Sequence, residues 1–289
     1  MEPMTIREIL EAVDGKLLGE FSDLDLTVKH VFTDSRNPDP GALFIPLVGE
    51  RFDGHAFLNE ALEGGAAGCF TQRERESYLP GKFYIKVDST QRALRDLARY
   101  YKKKFPIPVV ALTGSVGKTT TKDMVAAVLG EKYRVLKTEG NLNNEIGVPM
   151  TLLRLSSEHE IAVLELGMNH AGEIDYLSAM VEPDAVLMTN IGDSHIEHFG
   201  SREKILEAKS EIFHHARPDA FVVINGDDPL LNTLPGRLPF SFTRIGAGEG
   251  LDYRAVDVES DGASRMTCRI VAPSGEFPVE IPALGDHMI

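Results

Sequence analysis

Little in this 289-residue chain speaks for export, for membranes or for a stapled fold. Cysteine occurs twice, at Cys69 and Cys268. The two lie far apart in apolar or strand-like surroundings, so neither a disulfide framework nor a C-x-x-C metal site is supported. Nowhere do eighteen apolar residues run together, which argues against membrane insertion. The opening MEPMTIREILEAVDGKLLGE mixes charged and apolar residues from the start and lacks the cationic segment and apolar core of an export signal, so a reducing cytoplasm is the expected location. Basic residues are in deficit: 30 Lys and Arg against 44 Asp and Glu leave a formal net charge of −14. That is the wrong sign for gripping nucleic acid or an anionic membrane surface, and an anionic substrate would need a local basic site. Internal repeats and low-complexity tracts are also missing.

What remains is 43% hydrophobic and 26% charged, a globular composition long enough for two ordinary domains. From about Gln91 to Phe105, Leu94, Leu97, Ala98 and Tyr101 recur at helical spacing, and the last turn carries Lys102, Lys103 and Lys104. Those lysines read as complements to the helix C-terminal dipole more readily than as a phosphate patch. Pro106 and Pro108 then stop the helix, which places a domain boundary near residue 105. Beyond it, apolar strand-like runs (VVAL, YRVLK, IAVLEL, AVLMTN, AFVVIN) alternate with helical stretches such as Thr121 to Leu129 and Arg202 to His215. The expectation is α/β with a mostly parallel sheet over 106–289. From about Phe240, short β-like pieces broken by Gly and Pro suggest a small antiparallel appendage.

VVALTGSVGKTTTKDMVAAVLG reads as a buried strand, a glycine turn and a helix, the context that a phosphate-binding loop requires. Backbone N–H groups from Thr113, Gly114, Ser115, Val116 and Gly117 through Lys118, Thr119 and Thr120 would surround nucleotide phosphates. Lys118 would balance their charge, and the Thr119 hydroxyl would face Mg²⁺. The general Walker pattern asks for glycine where Leu112 stands, so the turn is a shorter variant. A strand-to-helix turn with a coincidental GKT is the alternative.

Glu165 ends an apolar run and either reaches a nucleotide-bound cation or is an ordinary solvated strand-end residue. TEGNLNNEIGVP gathers Asn141, Asn143, Asn144, Gly147 and Pro149 into a polar turn that fits a binding loop or turn chemistry alone. His195 and His198 form H-x-x-H, but a zinc reading lacks a third ligand and helical spacing. In the helix Arg202 to His215, Ile205, Lys209 and Ile212 share a stripe. Lys209 therefore snorkels to solvent, sits near the phosphates or is chemically modified. Asn225 and Asp227 follow another strand and could touch a base or ribose.

These segments resemble the Mur ligase family. TGSVGKTTTK, TEGNLNNEIGVP, ELGMNHAGEI, TNIGDSHIEHFGSREKI, EAKSEIF and NGDDP carry the likeness after residue 105, and TDSRNPDPGALFIPLVGERFDGHAF carries it before. LELGMNH, where tripeptide-forming relatives read MEVSSH, points to members that add D-alanyl-D-alanine to UDP-N-acetylmuramoyl-tripeptide. The resemblance implies that residues 1–105 bind the UDP-sugar peptide, with Ser35, Arg36, Asp53, Gly54, His55 and also Asn141 in contact. Residues 106–289 would bind ATP through the turn, Asn144, Asn225 and Asp227. Mg²⁺ would be held by Thr119 and Glu165, and a second cation by His195 and a carbamylated Lys209. Lys118, His195 and Lys209 are the implied catalytic residues, in a monomer. The family's G-x-H pattern begins at Gly285 and His287, near the last residue. That implies a third, Rossmann-like domain in longer relatives and an inactive fragment here. A tripeptide synthetase, a folylpolyglutamate synthase-like ligase and an ATP-binding module without turnover are the competing readings.

Overall fold

The computed structural model describes residues 1–49, 52–262 and 265–281. The chain divides into two compact units, Met1–Pro106 with Glu145–His159, and Ile107–Asn144 with Glu160–Ile289. The first stretch of the first unit ends at Pro106, and residues 106–289 are divided between the two units. Glu145–His159 belongs with the first unit, because α5 (Gly147–Leu152) packs on α3 (Thr90–Lys102). The Tyr101 hydroxyl also donates to the Leu155 carbonyl at 2.6 Å. A six-residue apolar helix carries no mark of which core will bury it.

In the first unit, β1 (Met4–Thr5) pairs with β3 (Thr27–Val28) and leads into α1 (Ile6–Val13). A capping box starts α1: Thr5 Oγ1 accepts from Glu8 N, and the Glu8 carboxylate accepts from Thr5 N at 2.7 Å. The sheet contains β2 (Lys16–Leu18), β4 (Val31–Phe32), β5 (Leu43–Phe44), β8 (Gly68–Thr71) and β9 (Phe83–Lys86), in the order β2-β9-β8-β5-β4. All pairs are parallel except β2 with β9. The hairpin β6 (Val48–Gly49) and β7 (Phe52–Asp53) precedes α2 (Leu58–Glu63). The stripe anticipated on α3 is buried as expected, and Ser89 caps its first turn. Lys104 donates to Glu8 at 2.5 Å, so one lysine of that cluster serves an ion pair with α1.

The second unit is a nine-stranded sheet in the order β11-β12-β10-β13-β14-β15-β16-β17-β18. Its strands are β10 (Val109–Thr113), β11 (Val135–Lys137), β12 (Ile161–Glu165), β13 (Ala185–Met188), β14 (Phe221–Asn225), β15 (Phe242–Gly246), β16 (Tyr253–Ser260), β17 (Met266–Ala272) and β18 (Gly275–Ile281). Its helices are α4 (Lys118–Gly130), α6 (Glu173–Val181), α7 (Ile196–Phe199) and α8 (Arg202–Ser210). Ala111, Leu112, Val163 and Leu164 are fully buried, which is why these strands read as unbroken apolar runs.

The expected antiparallel appendage needs correction. β15 and β16 continue the parallel sheet, and among the described strands of this sheet only the pairs β16–β17 and β17–β18 are antiparallel. Short strands broken by Gly and Pro do not reveal their neighbours; the connections do. The chain leaves β10 for β11 and β12 on one side, then crosses to β13 and β14 on the other. That split leaves a crevice at the C-terminal end of β10, the usual ligand position in such sheets.

Candidate active site

The turn between β10 and α4 is shaped by two glycines. A Cβ on Gly114 would stand 1.9 Å from Thr189 Oγ1, so no side chain fits there. Gly117 has φ 81° and is the N-cap of α4, without a side-chain cap. The first N–H groups of that helix therefore have neither an intrahelical acceptor nor a cap, the arrangement that suits an anion. The expected cradle is narrower than the whole turn. Ser115 N donates to the Asn190 carbonyl at 2.9 Å and Val116 N to Asn190 Oδ1 at 2.9 Å, while Thr189 and Asn190 side chains donate to the Val116 carbonyl. Those contacts occupy two of the turn's amides and leave the donors from Gly117 onward, including Lys118, Thr119 and Thr120. Thr113 is buried, and its hydroxyl donates to the Leu166 carbonyl at 2.8 Å.

Around this turn Glu165 and Lys209 are buried, and Lys118 is half-buried. Glu165 is 1% exposed at the end of β12. Its Oε2 accepts from Thr119 Oγ1 at 2.9 Å, its Oε1 from Asn143 Nδ2 at 2.7 Å, and its backbone N donates to Thr138 Oγ1. Glu165 is therefore no solvated loop residue. Lys118 Nζ donates to the Gly114 carbonyl at 3.0 Å, and Lys209 Nζ, on α8 and 2% exposed, donates to the same carbonyl at 2.8 Å. That placement excludes the snorkelling alternative. Burial, and secondarily the Lys118 charge, bring Lys209 down to about 7; burial also lowers Lys118, against the opposing pull of Glu165. His195 is the N-cap of α7 in the left-handed conformation, φ 65°. Burial and then the Lys209 charge hold its imidazole below the ordinary histidine range. Its loop is braced by an Arg202–Asp193 fork with two contacts of 2.6 Å.

Asn225 and Asp227 serve the fold. Asn225 Oδ1 accepts from Asp227 N, and the Asp227 carboxylate accepts from Ala247 N and Gly248 N at 2.6 and 2.8 Å. Asp227 thus tethers the loop between β15 and β16. Asn141 and Asn144 are exposed in the loop after β11. Asn143 approaches Gly167 so closely that a Cβ there would lie 2.7 Å from its Oδ1.

In the first unit, Ser35, Arg36 and Gly54 line a cavity of about 420 Å³ with Phe44, Phe52 and Phe57. Phe52 and Phe57 stack with centroids 5.5 Å apart. Arg36 forks onto Asp34, whose carboxyl it holds down to about 2. Asp53 and His55 do not line that cavity. His55 Nδ1 faces Asp53 Oδ1 at 2.6 Å and its Nε2 accepts from Gln72 N at 3.1 Å. Both ring nitrogens are therefore engaged in bracing the turn. Gly54 is required there, since a Cβ would meet Leu47 N and O below 3 Å.

Sequence reasoning passed over Thr138, Thr189 and Asn190, and also Asp228, whose carboxylate accepts from Ile191 N at 2.7 Å. Their only signal was membership in the quoted motifs. Among the described residues no group of three His, Cys, Asp or Glu side chains could hold a metal. The Thr119 hydroxyl and the Glu165 carboxylate are oxygen donors 2.9 Å apart. That sparse set suits a hard cation such as Mg²⁺, which takes further ligands from phosphates and water. Gly285 and His287 lie outside the described residues.

The first unit's segment 27–102 matches the model described as Mur ligase family, catalytic domain, and 112–289 matches the Mur ligase middle domain. The chain is 43% identical over 287 residues to the UDP-N-acetylmuramoyl-tripeptide–D-alanyl-D-alanine ligase of Bacillus subtilis, covering 99% of itself and 61% of that relative. It superimposes on a crystal structure of MurF from Acinetobacter baumannii with TM-score 0.91 at 34% identity, covering 99% of this chain and 62% of the other. On MurF ligase from Thermotoga maritima in complex with ADP the TM-score is 0.81 at 33% identity, with coverage of 89% and 59%. The chain thus spans about three fifths of the length of these relatives. With the glycine turn, Glu165 and Lys209 all inside the matched middle domain, the chain belongs to the Mur ligase family.

Proposed function

We propose that this sequence serves an ATP-dependent ligase that joins D-alanyl-D-alanine to UDP-N-acetylmuramoyl-tripeptide in cytoplasmic peptidoglycan precursor synthesis. The observation that carries the proposal is the contact of Thr119 with buried Glu165 beside Lys118, at the uncapped start of α4. ATP phosphates dock on the α4 N-terminus, and Lys118 exchanges the Gly114 carbonyl for their charge. Thr119 and Glu165 hold Mg²⁺, which when bound neutralises phosphate charge. The tripeptide's terminal carboxylate attacks the γ-phosphorus, ADP leaves, and an acyl phosphate remains. The dipeptide amine then attacks the acyl carbon, and inorganic phosphate departs from the tetrahedral intermediate with an amide formed. Positioning and charge neutralisation carry these steps without a protein nucleophile.

Lys209 enters as a carbamate. A buried amine brought down to about 7 offers its neutral form to CO₂ near neutral pH, and the reaction releases a proton and leaves an anionic group near His195. The cavity bearing Ser35, Arg36 and Gly54 receives the UDP-sugar portion, with Phe52 and Phe57 as its apolar wall. Phosphate release by the complete gene product, given ATP and both substrates, tests the proposal. Release that does not depend on both peptides would refute it and leave a nucleotide-binding module.

A further inference from the structure

The loop after β13 runs beside the glycine turn and extends the pairing of β10 with β13. Thr189 N donates to the Thr113 carbonyl at 3.1 Å, Ser115 N to the Asn190 carbonyl at 2.9 Å, and Ser194 Oγ to the Ser115 carbonyl at 3.3 Å. Beyond Ser115 the Asn190 side chain takes over from the backbone. Its Oδ1 accepts from Val116 N at 2.9 Å, and its Nδ2 donates to the Val116 carbonyl at 3.0 Å. That carbonyl also accepts from Thr189 Oγ1 at 2.7 Å. Val116 itself is 61% exposed, so hydrogen bonds rather than packing hold it in place.

The Val116 carbonyl and the Gly117 N–H belong to one peptide unit, and in a trans peptide they point in opposite directions. A carbonyl fixed on Thr189 and Asn190 therefore aims the Gly117 N–H away from that loop. Gly117, at φ 81°, has no side chain to oppose rotation of this peptide. Rotated by half a turn, the same peptide would present its carbonyl oxygen to an incoming phosphate in place of the N–H. The base of the clamp is itself anchored. Ile191 N donates to Asp228 Oδ2 at 2.7 Å, and Asp228 Oδ1 accepts from Leu230 N and Leu231 N at 2.9 and 3.0 Å.

We propose that Asn190 is a positioning residue for the nucleotide: with Thr189 it locks the Val116–Gly117 peptide in the orientation that offers the Gly117 N–H to the ATP phosphates. The inference rests on the ligase reading above and deepens it. In this role Asn190 touches neither ATP nor the reacting atoms; it raises the share of molecules whose turn is ready to bind. A turn that is ready in only about a tenth of the molecules binds roughly tenfold more weakly.

The test is the kinetics of phosphate release by the complete gene product carrying Asn190→Ala or Asn190→Leu, with each substrate varied in turn. Leucine keeps the branching and approximate size of asparagine without its hydrogen bonds. Both variants are expected to raise the KM for ATP at least ~10-fold, with the KM for UDP-N-acetylmuramoyl-tripeptide and for D-alanyl-D-alanine within about twofold. KM does not depend on how much of the enzyme is folded, so a loss of stability alone leaves it unchanged. An unchanged KM for ATP overturns the proposal, whatever happens to Tm or kcat. So does a rise shared by all three substrates, or one seen with alanine and absent with leucine, which would assign the effect to packing. Absence of ATP-dependent release from the unsubstituted protein overturns the ligase reading itself, and this inference with it.

Discussion

The glycine turn after β10 and the cavity beside Phe52 treat charge in opposite ways. In the second unit, Glu165 and Lys209 are almost fully buried, and each is held by neutral hydrogen-bond partners. In the first unit, Asp34 and Arg36 satisfy each other in solvent, with the Arg36 side chain 83% exposed. Water screens the second pair and not the first set. Charge at the turn is therefore poised to act on a ligand's charge, whereas charge at the cavity is cheap to hold and cheap to lose. Substitutions should separate the two regions by both size and kind of effect.

The largest effect is expected at Lys118. If Lys118 meets the phosphates as proposed, Lys118→Ala should lower kcat/KM for phosphate release at least ~100-fold. Turnover close to that of the unsubstituted enzyme would falsify the role assigned to the turn. Next comes Lys209→Arg, which keeps length and positive charge but cannot form a carbamate. The variant should fold and lose activity by roughly tenfold or more, and a ¹³C carbamate resonance seen with labelled CO₂ in the unsubstituted enzyme should be absent. Normal activity at saturating ATP and Mg²⁺ would return Lys209 to a structural role.

A third difference is in stability against pH. Lys209 is brought from 10.5 to about 7 on folding, so between those values the unfolded chain binds more protons than the folded one. Stability from this group therefore rises with pH across that window, and the cost is fully present below pH 7. Lys209→Met should flatten this part of the profile in urea unfolding measured from pH 7 to 10. An identical slope in both proteins would mean that the amine is not held neutral by burial.

The smallest effect is expected at the cavity. Arg36→Ala should change unfolding free energy by no more than about 0.5 kcal/mol, since exposed ion pairs contribute little. It should raise the KM for the UDP-linked donor only severalfold. A collapse in Tm, or a fall in kcat with KM unchanged, would erase the distinction between the two regions.

The site was legible where local geometry demands particular residues. A turn that passes within van der Waals contact of Thr189 needs glycine, a helix start at a left-handed N-cap favours glycine as well, and both glycines stand in the string TGSVGKTT. Lys209 was visible as a lysine on an apolar stripe, although its alternatives stayed open until the Gly114 carbonyl was found 2.8 Å away. His55 stood as a ligand contact only through the family resemblance of its segment. Its partners, Asp53 on one nitrogen and the Gln72 amide on the other, include one seventeen residues distant that no local pattern announces.

By itself, then, the sequence determined the alternation of buried strands and helices and the glycines of the turn, because each depends on residues within one or two helical turns of each other. Only the tertiary structure decided that Glu145–His159 joins the first unit, that β15 and β16 extend the parallel sheet, and that Asn190 occupies two amides of the turn. Those outcomes depend on which surfaces meet after the chain has closed loops of tens of residues. The contacts that reward such closure are spread over both partners, so neither segment carries the answer alone.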